Sequence, residues 1–205
     1  MVIDLSDEDC ARIAEKIRGV EATSDGEIVC VVAHASSQYA YLPTLWASFL
    51  ALSAPWPLIV LTHWPVQWIF ISQLAVFALA SLALSLPHAR MRLVPRMIQR
   101  SRAHAKAMEQ FQIRGLSRTK GRCAILIYVS MAERYARIIA DVGIADRVNQ
   151  SVWNDAVDKL LAACRDGRIA DGFLEAIAVS GEVLRAHAPR TAAHADQLPD
   201  KIYVI

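Results

Sequence analysis

Between residues 28 and 89 the chain carries no Asp, Glu, Lys or Arg, a gap of 62 residues in a sequence that is 20% charged. Two apolar blocks lie inside that gap, residues 42–61 and 66–86, of 20 and 21 residues. About 20 helical residues at 1.5 Å each cross a hydrocarbon core of roughly 30 Å. The link between them, Thr62, His63, Trp64 and Pro65, is so short that the second helix returns to the side the first came from. Four of the five tryptophans fall in this stretch, with Trp64 and Trp68 flanking the link and Trp46 near the other end. Indole rings settle at headgroup level, so this placement suits a membrane. A hairpin buried in a soluble core is the competing arrangement. It asks a 205-residue chain to surround two helices that are apolar on every face. The pattern therefore predicts a two-helix transmembrane hairpin. Pro55, Trp56 and Pro57 lie inside the first block and predict a kink there, or an early helix end and a longer loop.

The flanks predict an orientation. Residues 90–122 hold ten Lys or Arg and a single acid, Glu109, whereas the short link holds neither Lys nor Arg. The positive-inside rule then puts both termini in the cytoplasm, with a bacterial inner membrane as the expected location. The run from Arg90 to Lys106 is placed to meet anionic lipid headgroups, worth about 1 kcal/mol per basic residue. A net charge of +2 gives no independent reason to expect a nucleic-acid partner. The first nine residues are acidic where a secretory signal is basic, so none is expected. Cys10, Cys30, Cys123 and Cys164 have no metal-like spacing and read as small buried hydrophobes in a reducing compartment.

The rest of the chain alternates in period. Ser6 followed by Asp7, Glu8 and Asp9 reads as a helix start, and Cys10, Ile13, Ile17 and Val20 continue it at helical spacing to about residue 22. Thr23, Ser24, Asp25 and Gly26 are turn chemistry. Residues 27–34 form a β-branched run too continuous for a one-faced strand, which places it in a sheet covered on both sides. After the hairpin come a basic helix over 96–114, a buried strand over 123–130 and a tight turn at Glu133 and Arg134. A strand over 135–141 follows, broken at Gly143. Two helices close the domain. One uses Val152, Ala156 and Leu160 and stops at Gly167; the other uses Phe173, Ile177 and Leu184 and stops before Pro189. The order α-β-α-β-β-α-α predicts parallel first and second strands and an antiparallel third. Residues 1–34 supply one helix and one strand, too little for a domain alone. Residues 1–34 and 96–188 are therefore expected to form one split cytoplasmic domain interrupted by the hairpin at 42–86. Residues 189–205 form a linker and tail, whose closing Ile202, Tyr203, Val204 and Ile205 have strand character. That tail is expected to dock as an edge strand on the chain's own sheet or on a partner's, or to stay unstructured.

Thr23-Ser24-Asp25-Gly26-Glu27-Ile28-Val29 ahead of a strand, the strand over 123–130, and Tyr135 to Ile144 together resemble the TPM domain family. The likeness is greatest to short bacterial members that carry a membrane hairpin inside the domain. It implies an α/β fold, three-layer and α/β/α-like, with a small mixed sheet. Departures are the extra Asp25 before the usual Gly-Glu pair and a Gly-x-Gly element reduced to Val142-Gly143-Ile144. Members of the family include acid phosphatases, divalent-cation binders and accessory factors for membrane complexes. Bacterial relatives often neighbour LemA-type membrane proteins, which the resemblance offers as a partner.

The predicted topology brings the start of the first strand and the end of the third to one edge. Asp25, Glu27, Asp141 and Asp146 are the acids expected there. Clustered carboxylates suit Ca²⁺ or Mg²⁺, which take about six oxygen ligands. Equally, Asp25 can stabilise its own turn, Glu27 can be solvated and Asp141 can pair with an arginine such as Arg147. Ser130 and His34 lie at strand ends and are close enough in the predicted fold to meet. The sequence has no P-loop, no Cys-x5-Arg loop and no Gly-x-Ser-x-Gly elbow. Two functions follow as expectations: a non-catalytic adaptor or accessory factor on the cytoplasmic side of a membrane-protein complex, or a metal-dependent acid phosphatase.

Overall fold

The computed structural model describes residues 3, 5–37, 41–86, 94–191 and 197–205. Helix α1 (Asp7–Glu21) begins at Ser6, whose hydroxyl accepts the Asp9 amide at 3.1 Å, while the Asp9 carboxylate returns to the Ser6 amide at 3.3 Å. That reciprocal capping satisfies two of the free amides every helix start leaves. Strand β1 (Ile28–Ala33) follows the turn at Gly26. Helices α2 (Tyr41–Ser53), α3 (Pro55–Leu61) and α4 (Val66–Ser85) come next, then α5 (Arg96–Ile113). Strands β2 (Ile125–Ser130) and β3 (Tyr135–Ala140), a one-turn α6 (Val142–Ala145), α7 (Gln150–Arg165), α8 (Ile169–His187) and β4 (Ile202–Val204) complete the described elements.

The chain forms two compact units, residues 1–36 with 100–205, and residues 37–99. In the first, four strands are ordered β3-β2-β1-β4. β1 and β2 run parallel from Ile28 beside Ile125 to Ala33 beside Ser130, and β3 returns antiparallel. The turn between β2 and β3 puts Arg134 at φ 49°, the left-handed backbone a tight reversal needs. Every residue of β1 and β2 is buried because both sheet faces are covered. On one face Ile28, Cys30, Val32, Ile125, Ile127 and Val129 pack with Ile13, Ile17, Leu160, Phe173, Ile177 and Leu184 from α1, α7 and α8. On the other, Val29, Val31, Leu126 and Tyr128 pack with Ala107 and Phe111 of α5 and with Leu116. The result is a three-layer α/β/α fold with a mixed sheet.

Of the alternatives for the C-terminal tail, the structure has docking on the chain's own sheet. β4 lies parallel to β1 with Ile202 beside Cys30 and Val204 beside Val32. The Ile205 amide donates to the Val32 carbonyl at 3.0 Å and the His34 amide to the Ile205 carbonyl at 2.9 Å. Arg114 lies 3.4 Å above the Tyr203 ring, a cation–π contact that fastens the tail to the end of α5.

Two local expectations are corrected. Gly143 does not simply end β3; it sits in α6, where an added Cβ would lie 2.6 Å from the carbonyl oxygens of both Gly121 and Arg122. Only glycine admits that close approach. In α7 the inward face is Trp153, Ala156 and Leu160, while Val152 is turned outward, because the large indole takes the core position at the start of the helix.

In the second unit α2 ends at Ser53; the amide of the next residue, Ala54, bonds the Leu50 carbonyl at 3.0 Å, and Pro55 starts α3 without an amide of its own. The prolines thus interrupt the first helix near its midpoint. No residue of α3 or α4 is buried, and Val60, Leu61 and Leu82 are 76%, 78% and 73% exposed.

Candidate functional site

The acidic edge forms where α1 hands the chain to β1. Glu21 is the last residue of α1 and falls on its inward face with Ile17 and Val20. Its carboxyl accepts the Ile28 amide at 2.8 Å, joining the helix end to the first residue of the strand. The connecting turn needs Gly26, since a Cβ there would collide with a Leu184 methyl and lie 2.8 Å from the Cys123 carbonyl. Ser24 closes the turn, with its hydroxyl on the Val20 carbonyl at 3.1 Å.

The acids named from the sequence meet the C-terminal segment. The Asp25 carboxylate accepts the Thr191 amide at 2.9 Å and the Thr191 hydroxyl at 2.5 Å. Glu27, 1% exposed, accepts the amides of Gln197 and Leu198 at 3.1 and 3.2 Å. Arg190 donates to the Glu21 carbonyl at 2.8 Å, and the Asp25 amide donates to the Ala188 carbonyl at 2.9 Å. This edge is therefore a clasp, in which the buried Glu27 and the half-buried Asp25 hold the amides of the segment that leads to β4.

Glu21 is missing from the residues singled out in the sequence, as are its neighbour Asp200 and the arginines Arg122 and Arg190. Burial pushes the Glu21 carboxyl up to about 10, helped by its hydrogen bond with Asp200 and by the Glu27 and Asp200 charges; only the Ile28 amide acts against them. Glu21 thus holds its proton at neutral pH. The signal was available in its spacing, four residues after Ile17 on the buried stripe of an amphipathic helix.

Asp141 is 4% exposed and takes a different partner from the Arg147 foreseen. Both of its oxygens are engaged by Arg122, at 2.6 Å from Nε and 2.9 Å from Nη2, the two-pronged geometry in which arginine binds carboxylates most strongly. Asp141 also caps α6, accepting the Val142 amide at 2.8 Å. Arg147 donates instead to the His187 carbonyl at 3.2 Å. Asp25, Asp141 and Arg147 are close enough to act electrically on the Cys123 thiol, which burial pushes up. Asp146 is exposed at the end of α6. Among the described residues no three His, Cys, Asp or Glu side chains are arranged to hold a metal ion. The four acids do not fit a ligand set for Ca²⁺ or Mg²⁺: three already accept protein hydrogen bonds, and the fourth is a lone surface carboxylate.

At the opposite end of the parallel strands, Ser130 is fully buried and its hydroxyl donates to Glu133, not to His34. Glu133 also accepts the Ser36 amide at 3.0 Å, and the Ser36 and Tyr128 hydroxyls are 2.9 Å apart. His34 is exposed and takes part through its backbone, its carbonyl accepting the Ala132 amide at 3.0 Å. The Ser130–His34 pairing that the strand ends leave open does not form. All four cysteines are free thiols, with Cys30 and Cys164 buried and Cys10 and Cys123 half-buried.

Residues 88–183 match the family model of the TPM domain. A solution structure of the BA42 protein from the psychrophilic bacterium Bizionia argentinensis is similar in fold, with a TM-score of 0.61 at 18% identity. The alignment covers 98% of this chain and 94% of that one. No curated protein matches. The family match begins at residue 88, yet β1, from before the hairpin, supplies a middle strand of the same sheet.

Proposed function

We propose that this TPM-domain protein is anchored in a bacterial inner membrane by the hairpin of α2 to α4 and presents its α/β domain as a cytoplasmic adaptor for another membrane-protein complex. The observation that carries the anchoring is the exposure of the hairpin. A core helix of a soluble protein is mostly buried, whereas α4 has no buried residue and shows Leu74, Leu79 and Leu82 at 69%, 68% and 73% exposure. Hydrocarbon is the solvent in which such a surface is stable. The basic run supports placing both termini in the cytoplasm against anionic headgroups; Arg96, Arg100 and Arg102 are exposed, while Arg90 and Arg92 lie outside the described residues.

The adaptor reading is supported by how the domain uses its polar groups. Glu27 holds the tail, Asp141 holds Arg122, and Ser130 and Glu133 hold each other and Ser36. These groups organise the chain itself. The phosphatase reading calls on a nucleophile, and the Ser130 hydroxyl is sealed in the interior; it also calls on a divalent cation, which the acids at 25, 27, 141 and 146 do not accommodate as they are bonded. Against that background a membrane partner, such as a LemA-type protein, is the better account.

Reporter fusions at Met1 and Ile205 should both read cytoplasmic, and one in the Thr62–Pro65 link should read outside. A cytoplasmic signal from the link refutes the hairpin. For the domain, an unbiased pull-down from detergent-solubilised membranes should recover a membrane-protein partner. The purified protein should show no phosphatase turnover with or without Ca²⁺ or Mg²⁺; metal-dependent turnover above background would replace the adaptor with the enzyme.

A further inference from the structure

Arg12, Arg122 and Arg168 each meet a carboxylate. Arg100, Arg134 and Arg137 do not: all three are exposed, and among the described residues none forms an ion pair or a side-chain hydrogen bond. The sheet register places Arg137 on the α5 side, because it lies opposite Tyr128, which packs beneath α5 with Phe111. β3 is an edge strand, so no further strand of the sheet lies beyond it. His104, on the adjoining flank of α5, is close enough for the Arg137 charge to act on its ring. Arg100 is one helical turn before His104, and Arg134 adds its charge at the turn into β3. The other groups about this flank are committed or neutral. Glu133 accepts from Ser130 and Ser36, and Glu109 pairs with Lys106 at 2.8 Å. The Tyr128 hydroxyl is bonded to Ser36, burial pushes its pKa up, and β1 turns only Val29, Val31 and Ala33 toward α5.

Burial and the Arg137 charge hold the His104 imidazole below its ordinary pKa, so the ring is neutral at neutral pH. Its Nδ1 is enclosed by protein and bonded to nothing, whereas Nε2 is not enclosed. A buried N–H without an acceptor is the costlier orphan, so the neutral ring keeps its proton on Nε2 and offers a donor at the surface. Beside it stands the forked guanidinium of Arg137, a shape that matches carboxylate and phosphate oxygens. The charge decides between those two. A carboxylate brings one negative charge to three uncompensated guanidiniums, whereas a phosphate monoester brings about −1.5 to −2 and three acceptor oxygens. We propose that the flank between α5 and β3 is a binding site for a phosphate monoester, held by Arg137 and the Nε2–H of His104, with Arg100 and Arg134 supplying further charge. A lipid headgroup and a small soluble phosphate present this same group. The site lies within the α/β domain and does not depend on what surrounds the hairpin.

The test follows the ring nitrogens of His104 by NMR in the full chain, labelled at histidine and carried in neutral detergent, with His104→Gln to assign the resonances. Inorganic phosphate added at constant ionic strength should move the Nε2 signal along a saturating curve. Arg137→Gln should weaken the binding about tenfold, as the loss of a charged hydrogen-bonding partner does. Arg118→Gln, which removes an exposed arginine past the far end of α5, should leave it unchanged. All variants should melt like the wild type, which separates lost binding from lost folding. A second arm replaces part of the detergent with phosphatidic acid, against phosphatidylcholine as the control. A response to inorganic phosphate, with or without one to the lipid, supports a site open to soluble phosphates. A response to phosphatidic acid alone supports the same site as a headgroup site. No saturating shift from either ligand overturns the proposal. Equal weakening by Arg137→Gln and Arg118→Gln also overturns it, because the attraction is then diffuse and belongs to no site.

Discussion

Aspartate at Ile28 or Val31 is expected to unfold the α/β domain as a whole, including residues 96–188 on the far side of the hairpin in sequence. Both positions lie in β1, at 1% and 0% exposure, and they face opposite cores. Ile28 meets α8 and the helix side of β2, whereas Val31 meets Phe111 of α5 and Tyr128. β1 is hydrogen-bonded to β2 on one side and to β4 on the other, so its loss divides the sheet. Burying an unpaired carboxylate costs several kcal/mol, which is comparable with the whole stability of a small domain. Limited proteolysis of the full-length protein measures it directly: residues 96–188 should become protease-sensitive in both variants. Full resistance in both would show that the second half folds without β1, and the split-domain architecture would fall.

The parts of this fold that were legible in the sequence are those with local signatures. The continuous β-branched runs at 28–33 and 125–130 announce strands covered on both faces, and the helix between them dictates that they run parallel. The Ser6 cap and the turn at Arg134 are written in neighbouring residues. What escaped depends on pairings with no local signature. Asp141 chose Arg122, nineteen positions away and poised by its own left-handed backbone (φ 55°), over the nearer Arg147. Glu27, which alone suggests a solvated surface residue, is buried because the tail returns and offers it two amides. The tail's strand character was readable, but three residues are too few to name the edge they join.

The same limit explains why the acidic edge looked like a cation site. Carboxylates brought together by topology suggest a metal, and nothing in the local sequence shows that backbone amides and an arginine will reach them first. Beside them lies a carboxyl that the sequence reading passed over, that of Glu21, and it is held in its protonated form. Glu21 is enclosed by Glu27, by Asp200 and by the core about Cys30, with Arg190 bonded to its carbonyl and not to its carboxyl. Burial and the neighbouring carboxylates make ionisation of Glu21 unfavourable.

Glu21→Gln is therefore expected to stabilise the domain, and by an amount that grows with pH. In the folded protein the Glu21 carboxyl is pushed up to about 10, against 4.5 for the free side chain. Below pH 4.5 folded and unfolded chains both carry the proton, and the stability from the protonated carboxyl is fully present. As pH rises past that value the unfolded chain releases its proton while the folded chain keeps it. Stability then falls continuously until the folded pKa is reached. Three pH units at about 1.4 kcal/mol each set an upper limit on the order of 4 kcal/mol at pH 7.5. Glutamine keeps the oxygen that accepts the Ile28 amide and has no proton to lose, so it removes the decline and leaves the clasp intact. Denaturant unfolding of both proteins from pH 4.5 to 9 should give near-equal stabilities at the acid end and a widening advantage for the variant above it. Hydrogen exchange should place the wild type's alkaline weakening first at Ile202–Val204, because an ionised Glu21 repels Asp200 at the base of β4. A difference between the two proteins that does not change with pH would mean that Glu21 ionises as an ordinary surface acid, and that the clasp is held without a buried proton.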